Sequence, residues 1–298
     1  MASFLKHYGM LSAAMILWGA SWVSKKIAVS AAPPFTVGFL RFFSASVVFL
    51  AFMLATGRPP HRRFTRAQIK TLIPIGVVGV FGYETMELLG LTLTTAAQGA
   101  IIDGFQPVTI GLFAFLILRE TLSRRWQYAG FLFGTAGIFL IVGTQFAIGA
   151  ELHAIGDIVL ILATCVWAIY SALGKRAMRE MDALDMTAGG IFIGTAIFGV
   201  AAVTEQFWLL PAMTDVIFWA NILFLGAVMT FLCFLLYFEG MRHVGATRAG
   251  IFVSLIPVSG TILSFFILGE AIYPSFWAGL ILVTLGILIT NYPVAEEG

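Results

Sequence analysis

Six ionisable side chains interrupt long apolar runs in the first half of this chain: Lys25, Lys26, Arg41, Glu84, Glu87 and Asp103. A charge in an apolar medium is costly unless it is paired and hydrogen-bonded. Carboxylates so placed bind a proton or a substrate amino group, and the cations beside them compensate their charge. Aromatic residues accompany them at helical spacing. Trp18, Ser21, Trp22 and Lys25 fall at i, i+3, i+4 and i+7, on one helix face. Trp167, Tyr170, Ser171 and Gly174 repeat that face further on. Tyr83 and Glu87 share a face at i, i+4, and Asp103 and Gln106 at i, i+3. Indole and phenol rings give apolar walls with a polar edge, which suits an amphipathic solute. The same spacing also serves ordinary core packing. Pro107 and Pro257 interrupt apolar segments, where each removes a backbone hydrogen bond and bends its helix. Such a bend is either a gating hinge or a fixed kink.

These residues need elements to hold them, and the composition names the medium. Of 298 residues, 60% are hydrophobic and 11% charged. A soluble domain carries about 25% charged residues, so lipid must cover most of this exterior. Net charge is +2, which gives no pull toward nucleic acid. A spanning helix needs about 20 mostly apolar residues. Ten segments qualify: Tyr8–Ser30, Phe35–Thr56, Ile69–Leu93, Ala96–Leu118, Trp126–Phe146, Ile155–Gly174, Leu184–Trp208, Asp215–Phe238, Ala246–Leu268 and Tyr273–Tyr292. The runs are continuous rather than alternating, which favours helices over barrel strands. Ser30-Ala31-Ala32 resembles a cleavage site, but Lys25 and Lys26 break the run before it, so the first segment is read as a retained helix.

With the N-terminus inside, the inner connectors hold 14 of the 17 Lys and Arg residues and the outer connectors none. That bias sets both termini in the cytoplasm and supports ten crossings. The cluster from Arg58 to Lys70 is the strongest part of this signal, with anionic-lipid binding as a second role.

The chain also repeats itself. At an offset of 150, Pro107 pairs with Pro257 and Glu120 with Glu270. With one residue of slippage, Gly130 pairs with Gly279, Gly137 with Gly286, Trp18 with Trp167 and Lys26 with Lys175. Each repeat holds five helices, residues 1–147 and 148–298. An odd number inverts the second copy, the plan of many secondary transporters. Inversion is expected to bring helices 1 and 6 together around one central cavity, with Trp18 and Trp167 near mid-membrane.

At about 1.5 Å per residue the six charges fall in one slab of the outer half of the bilayer. They form either a gate lining the outer vestibule or a static network joining helices 1 to 4, with Lys26 snorkelling outward. The glycines of helix 3 (Gly76, Gly79, Gly82) and the Gly130/Gly134 pair of helix 5 permit close helix approach, within the bundle or at a homodimer seam.

Trp18-Gly19 followed by Lys26, Leu40-Arg41-Phe42, Gly245-Ala246-Thr247-Arg248-Ala249, Pro257 and Gly269-Glu270 resemble the EamA-type branch of the drug/metabolite transporter superfamily. The likeness covers essentially the whole chain. Tyr83-Glu84 and Trp167-Ala168-Ile169-Tyr170 look like the aromatic amino acid exporter subgroup, from which helix 9 departs. The resemblance implies a ten-helix bundle in the bacterial inner membrane that exports metabolites, and for Glu120 and Glu270 a structural role at the repeat boundary, beyond local pairing or capping.

The expected function is therefore export of small amphipathic metabolites, aromatic amino acids foremost, by alternating access. Other metabolites or drugs are the alternative, and either a proton gradient or facilitated diffusion suffices. Trp18, Trp22, Tyr83, Glu84, Glu87, Asp103, Gln106, Trp167, Tyr170 and Ser171 are the candidate substrate contacts. Lys25, Arg41, Pro107 and Pro257 are the candidate gating or ion-pair residues. No HExxH, GxSxG or P-loop motif occurs, which disfavours an intramembrane enzyme or an ATPase. A channel would more naturally use a ring of subunits. His7, His61, His153 and His243 are read as connector residues without metal-ligand spacing, and Cys165 and Cys233 as unpaired. No cofactor and no metal is expected. The expected partners are a small-molecule substrate, the bilayer and, if coupled, a proton; a monomer is favoured over a homodimer.

Overall fold

The computed structural model describes residues 2–58, 64–106, 109, 125–147, 151–244 and 252–290. Pro107, Glu120 and the Gly245–Ala249 motif lie outside the described residues. Among the described residues there are ten helices in chain order and no strand. They are α1 (Ala2–Ala31), α2 (Pro34–Ala55), α3 (Arg66–Leu93), α4 (Ala96–Asp103), α5 (Arg125–Ala147), α6 (Glu151–Ala177), α7 (Ala183–Thr204), α8 (Val216–Leu223, Phe224–Leu232 and Cys233–Val244), α9 (Leu255–Leu268) and α10 (Pro274–Thr290). Five of them, α2, α3, α6, α7 and α8, contain segments that suffice in length and composition alone to cross a bilayer.

The starts follow local chemistry. Pro34 opens α2 at N1, where its missing N–H costs nothing. Thr65 with Gln68 and Thr95 with Gln98 form capping boxes at α3 and α4. Asp182 accepts from Asp185 N at α7, and Asp215 from Ile217 N at α8. Helix α7 stops at Thr204, short of the expected Trp208, because the chain turns at Gln206 into short 3-10 turns at Phe207–Leu209 and Pro211–Thr214.

Two departures from regular helix were not legible beforehand. Ile75–Gly82 in α3 and Phe224–Leu232 in α8 are wound as π-helix. The two segments begin 149 residues apart, so they are the same device in each repeat. Helices α4 and α9 are also interrupted at matched places, by turns at Gly104–Phe105 and at Val253–Ser254. The second break has a visible cause. Pro257 has no N–H for Val253 O, which instead accepts from Ile256 N at 3.0 Å. Pro257 thus stands in the first turn of α9 rather than kinking its middle, which corrects the expected mid-helix bend.

The packing is reciprocal. Helix α2 lies on α7, α4 on α9 and α5 on α10, while α1 lies on α8 as α6 lies on α3. The tightest pair is α5–α10. A Cβ added at Gly137 would stand 2.8 Å from Gly279 O, and one at Gly286 only 2.7 Å from Gly130 O. The repeat register exchanges Gly130 with Gly279 and Gly137 with Gly286, so it carries one contact onto the other, as a two-fold axis must. The Gly130/Gly134 face is therefore covered by α10 of the same chain and is not a free homodimer seam. Helices α1 and α6 are not principal partners among the described residues. They face the same cavity from opposite sides, each backed by its own neighbours, which corrects the expectation that they meet.

Candidate substrate cavity

A cavity of about 400 Å³ lies between the repeats. Its walls include Trp18, Tyr83, Glu84, Glu87, Asp103, Gln106, Trp167, Tyr170 and Ser171, together with Lys25 and Arg41. The sequence had singled out all eleven. Trp22 is the exception among the expected substrate contacts. It is buried, its ring lies over Gly99, and its indole N–H points to Asp103 Oδ2 at 3.4 Å, so it supports the wall from behind. Pro257 is also buried, packed on Gly104, and is not among the lining residues.

The charges are ordered by pairing. Lys25 Nζ meets Glu87 Oε2 at 2.7 Å, and its ammonium lies 4.6 Å from the Trp22 ring centre. Arg41 pairs with Glu84, and its Nε reaches Thr230 Oγ1 of α8 at 3.4 Å. Thr230 in turn donates to Leu225 O at 2.8 Å, inside the π-turn. The Tyr83 hydroxyl lies 3.1 Å from Glu87 Oε1 and 3.3 Å from Asp103 Oδ1, and accepts from Gln106 Nε2 at 3.0 Å. Gln106 also donates to Asp103. The Glu84 and Glu87 side chains are each 2% exposed, so both ion pairs stand out of water, as intramembrane charges require.

Lys26 does not join this group. Its Nζ donates to Leu91 O at 2.8 Å and Thr94 O at 2.6 Å, closing the carbonyl end of α3. Glu270 finishes the same corner. It accepts from Ala96 N at 2.8 Å and Ala97 N at 3.0 Å, and takes the Ser264 hydroxyl. It therefore caps α4 across the fold, not its own neighbours. Glu205 does the same for α2, accepting from Phe35 N at 3.2 Å and Thr36 N at 2.6 Å. These caps close the end of the bundle away from the basic connectors. At the other end the walls continue to Met186 and to Met178, which is 46% exposed beside the basic stretch 175–179.

The sequence reading missed the second repeat's share of the wall: Thr230, Phe234, Tyr237, Val253 and Ile256. The register that paired the prolines would have found most of it. At an offset of 150, Glu84 corresponds to Phe234, Glu87 to Tyr237, Asp103 to Val253 and Gln106 to Ile256. The cavity sits on the pseudo-two-fold, and each polar or charged residue of repeat one faces an apolar or aromatic counterpart from repeat two. Aromatic contacts follow the same rule. Trp18 packs on Phe234 and Tyr237 with ring centres 5.6 and 5.4 Å apart, while Trp167 packs on Tyr83 at 4.9 Å.

Histidines behave differently from the sequence expectation as well. His7, His153 and His243 lie within helices, and His7 stacks on His243 with ring centres 4.0 Å apart and planes 8° apart. Glu239 completes a trio whose ligand atoms lie within 4.8 Å of one another. Face-to-face rings aim their nitrogens in parallel, and His243 Nδ1 already meets Glu239 O at 2.9 Å, so the geometry is one of stacking rather than chelation.

A helical bundle folded on an internal two-fold, with a charged and aromatic cavity at the repeat interface, defines a multi-pass membrane transporter for small molecules. The chain belongs to the EamA-like transporter family, whose model matches it twice, over residues 5–143 and 154–292. An uncharacterized transporter of Bacillus subtilis, YetK, is 30% identical across 97% of this chain and 90% of its own length. An S-adenosylmethionine/S-adenosylhomocysteine transporter of Chlamydia muridarum is 23% identical across 95% of this chain and 90% of its own. A crystal structure with 22% identity superposes with a TM-score of 0.65 over 95% of this chain and 96% of that one, a likeness of fold alone.

Proposed function

We propose that this protein is a secondary transporter of the bacterial inner membrane that exports small amphipathic metabolites by alternating access, with aromatic amino acids foremost. One observation carries the reading: the cavity has a hydrogen-bonded, charged side from repeat one and an apolar, aromatic side from repeat two. Such a wall fits a solute with a polar head and a ring. Its volume of about 400 Å³ lies within the ordinary range for small-molecule sites. Trp18, Tyr83, Trp167, Tyr170 and Ser171 form the ring-binding wall, and Glu84, Glu87, Asp103 and Gln106 the head-group side. Both termini are cytoplasmic in this reading, and the open end of the cavity faces the cytoplasm, ready to load substrate for export. Other metabolites remain the alternative, and the Chlamydia relative's substrates belong to the same chemical type, an amino acid head joined to an aromatic base.

Purified protein in liposomes tests this. Saturable counterflow of labelled phenylalanine, tyrosine or tryptophan, abolished by Trp167→Ala at normal expression, is the expected result. A panel with and without a pH gradient separates proton coupling from facilitated diffusion. Absence of counterflow for every amphipathic solute in the panel ends the reading.

A further inference from the structure

The charges around the cavity do not balance. Five side chains that line it are ionisable by type as acids or strong bases: Lys25, Arg41, Glu84, Glu87 and Asp103. Lys25 is held by Glu87 at 2.7 Å, and Arg41 by Glu84. Lys26 is spent on the carbonyls of Leu91 and Thr94. Asp103 is left with neutral donors: Trp22 Nε1 at 3.4 Å on one oxygen, Tyr83 OH at 3.3 Å and Gln106 on the other. Among the described residues no cation forms an ion pair with it.

Neutral donors orient a carboxylate and stabilise it, but leave its charge in place. In a low-dielectric chamber that charge attracts a cation over several ångströms. The opposite wall reinforces the preference. Trp18, Trp167, Tyr170 and Tyr237 present ring faces and edges around the space that Asp103 adjoins, and indole and phenol faces attract cations. A zwitterion brings a carboxylate of its own, for which both fixed cations are already engaged. A net monocation brings only what the cavity lacks.

We infer that the cavity selects solutes bearing an aromatic or apolar body and a net single positive charge, an ammonium or sulfonium head, with Asp103 as the counter-ion. This rests on the cavity being the substrate site, and narrows the substrate class within it: cationic amphiphiles bind ahead of zwitterionic amino acids of the same size.

Three probes that share a phenyl ring and differ in charge decide the matter: 2-phenylethylamine (cation), phenylalanine (zwitterion) and 3-phenylpropionate (anion). Binding is read at pH 7.5 on detergent-purified protein, by tryptophan fluorescence and by thermal shift, and so does not depend on transport. The expected order is amine, zwitterion, anion, with at least a tenfold gap between the first two. Asp103→Asn weakens the amine at least tenfold and levels the series, while Asp103→Glu keeps the order. A zwitterion that binds as tightly as the amine overturns the inference, as does an amine unaffected by Asp103→Asn. Should that variant not fold, the wild-type order decides alone. Binding in the expected order without counterflow would sink the transport reading and spare this one; counterflow of phenylalanine without amine preference would do the reverse.

Discussion

Lys25 of α1 and Glu87 of α3 form an ion pair of 2.7 Å with side-chain exposures of 6% and 2%. Breaking a buried pair strands one charge, which costs about 3–5 kcal/mol, whereas replacing both partners by apolar residues is often neutral. Glu87→Gln or Lys25→Met alone is therefore expected to lower stability by about 3–5 kcal/mol. The double variant Lys25→Met/Glu87→Leu should recover most of that loss. Thermal unfolding in detergent, followed by circular dichroism, reads all three.

Gly79 sits in the π-turn of α3 beneath the Tyr170 ring, and a Cβ built there falls 1.9 Å from Tyr170 Cδ2. The ring must leave its place on the cavity wall. Gly79→Ala is expected to cut transport more than tenfold with normal membrane insertion. Combining it with Tyr170→Ala should restore stability but not the lost wall. Unchanged uptake by Gly79→Ala would show that Tyr170 does not shape the substrate path.

The α5–α10 contact is backbone on backbone, so it cannot yield to a new methyl group as a side chain would. Gly286→Ala should cost about 1–3 kcal/mol, the usual penalty for overpacking. Gly143, also on α5, has nothing within 4 Å of an added Cβ. Gly143→Ala should leave the melting temperature unchanged or slightly raised. Equal melting temperatures for the two variants would refute the close pairing of these helices.

Glu270 serves the first two backbone N–H groups of α4, Ala96 and Ala97, at 2.8 and 3.0 Å. Removing a helix cap costs about 0.5–2 kcal/mol. Glu270→Ala should fall in that range, and Glu270→Gln, which keeps one acceptor oxygen, should lose less. Hydrogen exchange at Ala96 and Ala97 is the direct measurement, with faster exchange expected in the alanine variant and none of it in a distant control helix.

Much of this was readable before any coordinates. Long apolar runs, too poor in charge for a water-exposed surface, fix an all-helical membrane chain. Capping residues such as Thr95 with Gln98 mark helix starts because their chemistry is local. The candidate site was partly readable for a similar reason. Trp18 and Lys25, or Tyr83 and Glu87, share a face by helical period alone, and a costly buried charge announces that it has a partner. The period could not say whether Trp22 lines the space or backs it, because both places lie on nearly the same face.

The sequence by itself determined the medium, the helices, the internal repeat and the family, since each is set by composition, local pattern or chain-wide similarity. Only the tertiary structure decided who meets whom. Which carboxylate each cation takes, that Glu270 caps a helix 174 residues away, that α5 spends its glycines on α10, and that Asp103 is left without a cation are all outcomes of packing. Ion pairing and close approach depend on distances between segments remote in the chain, and no local pattern encodes those distances.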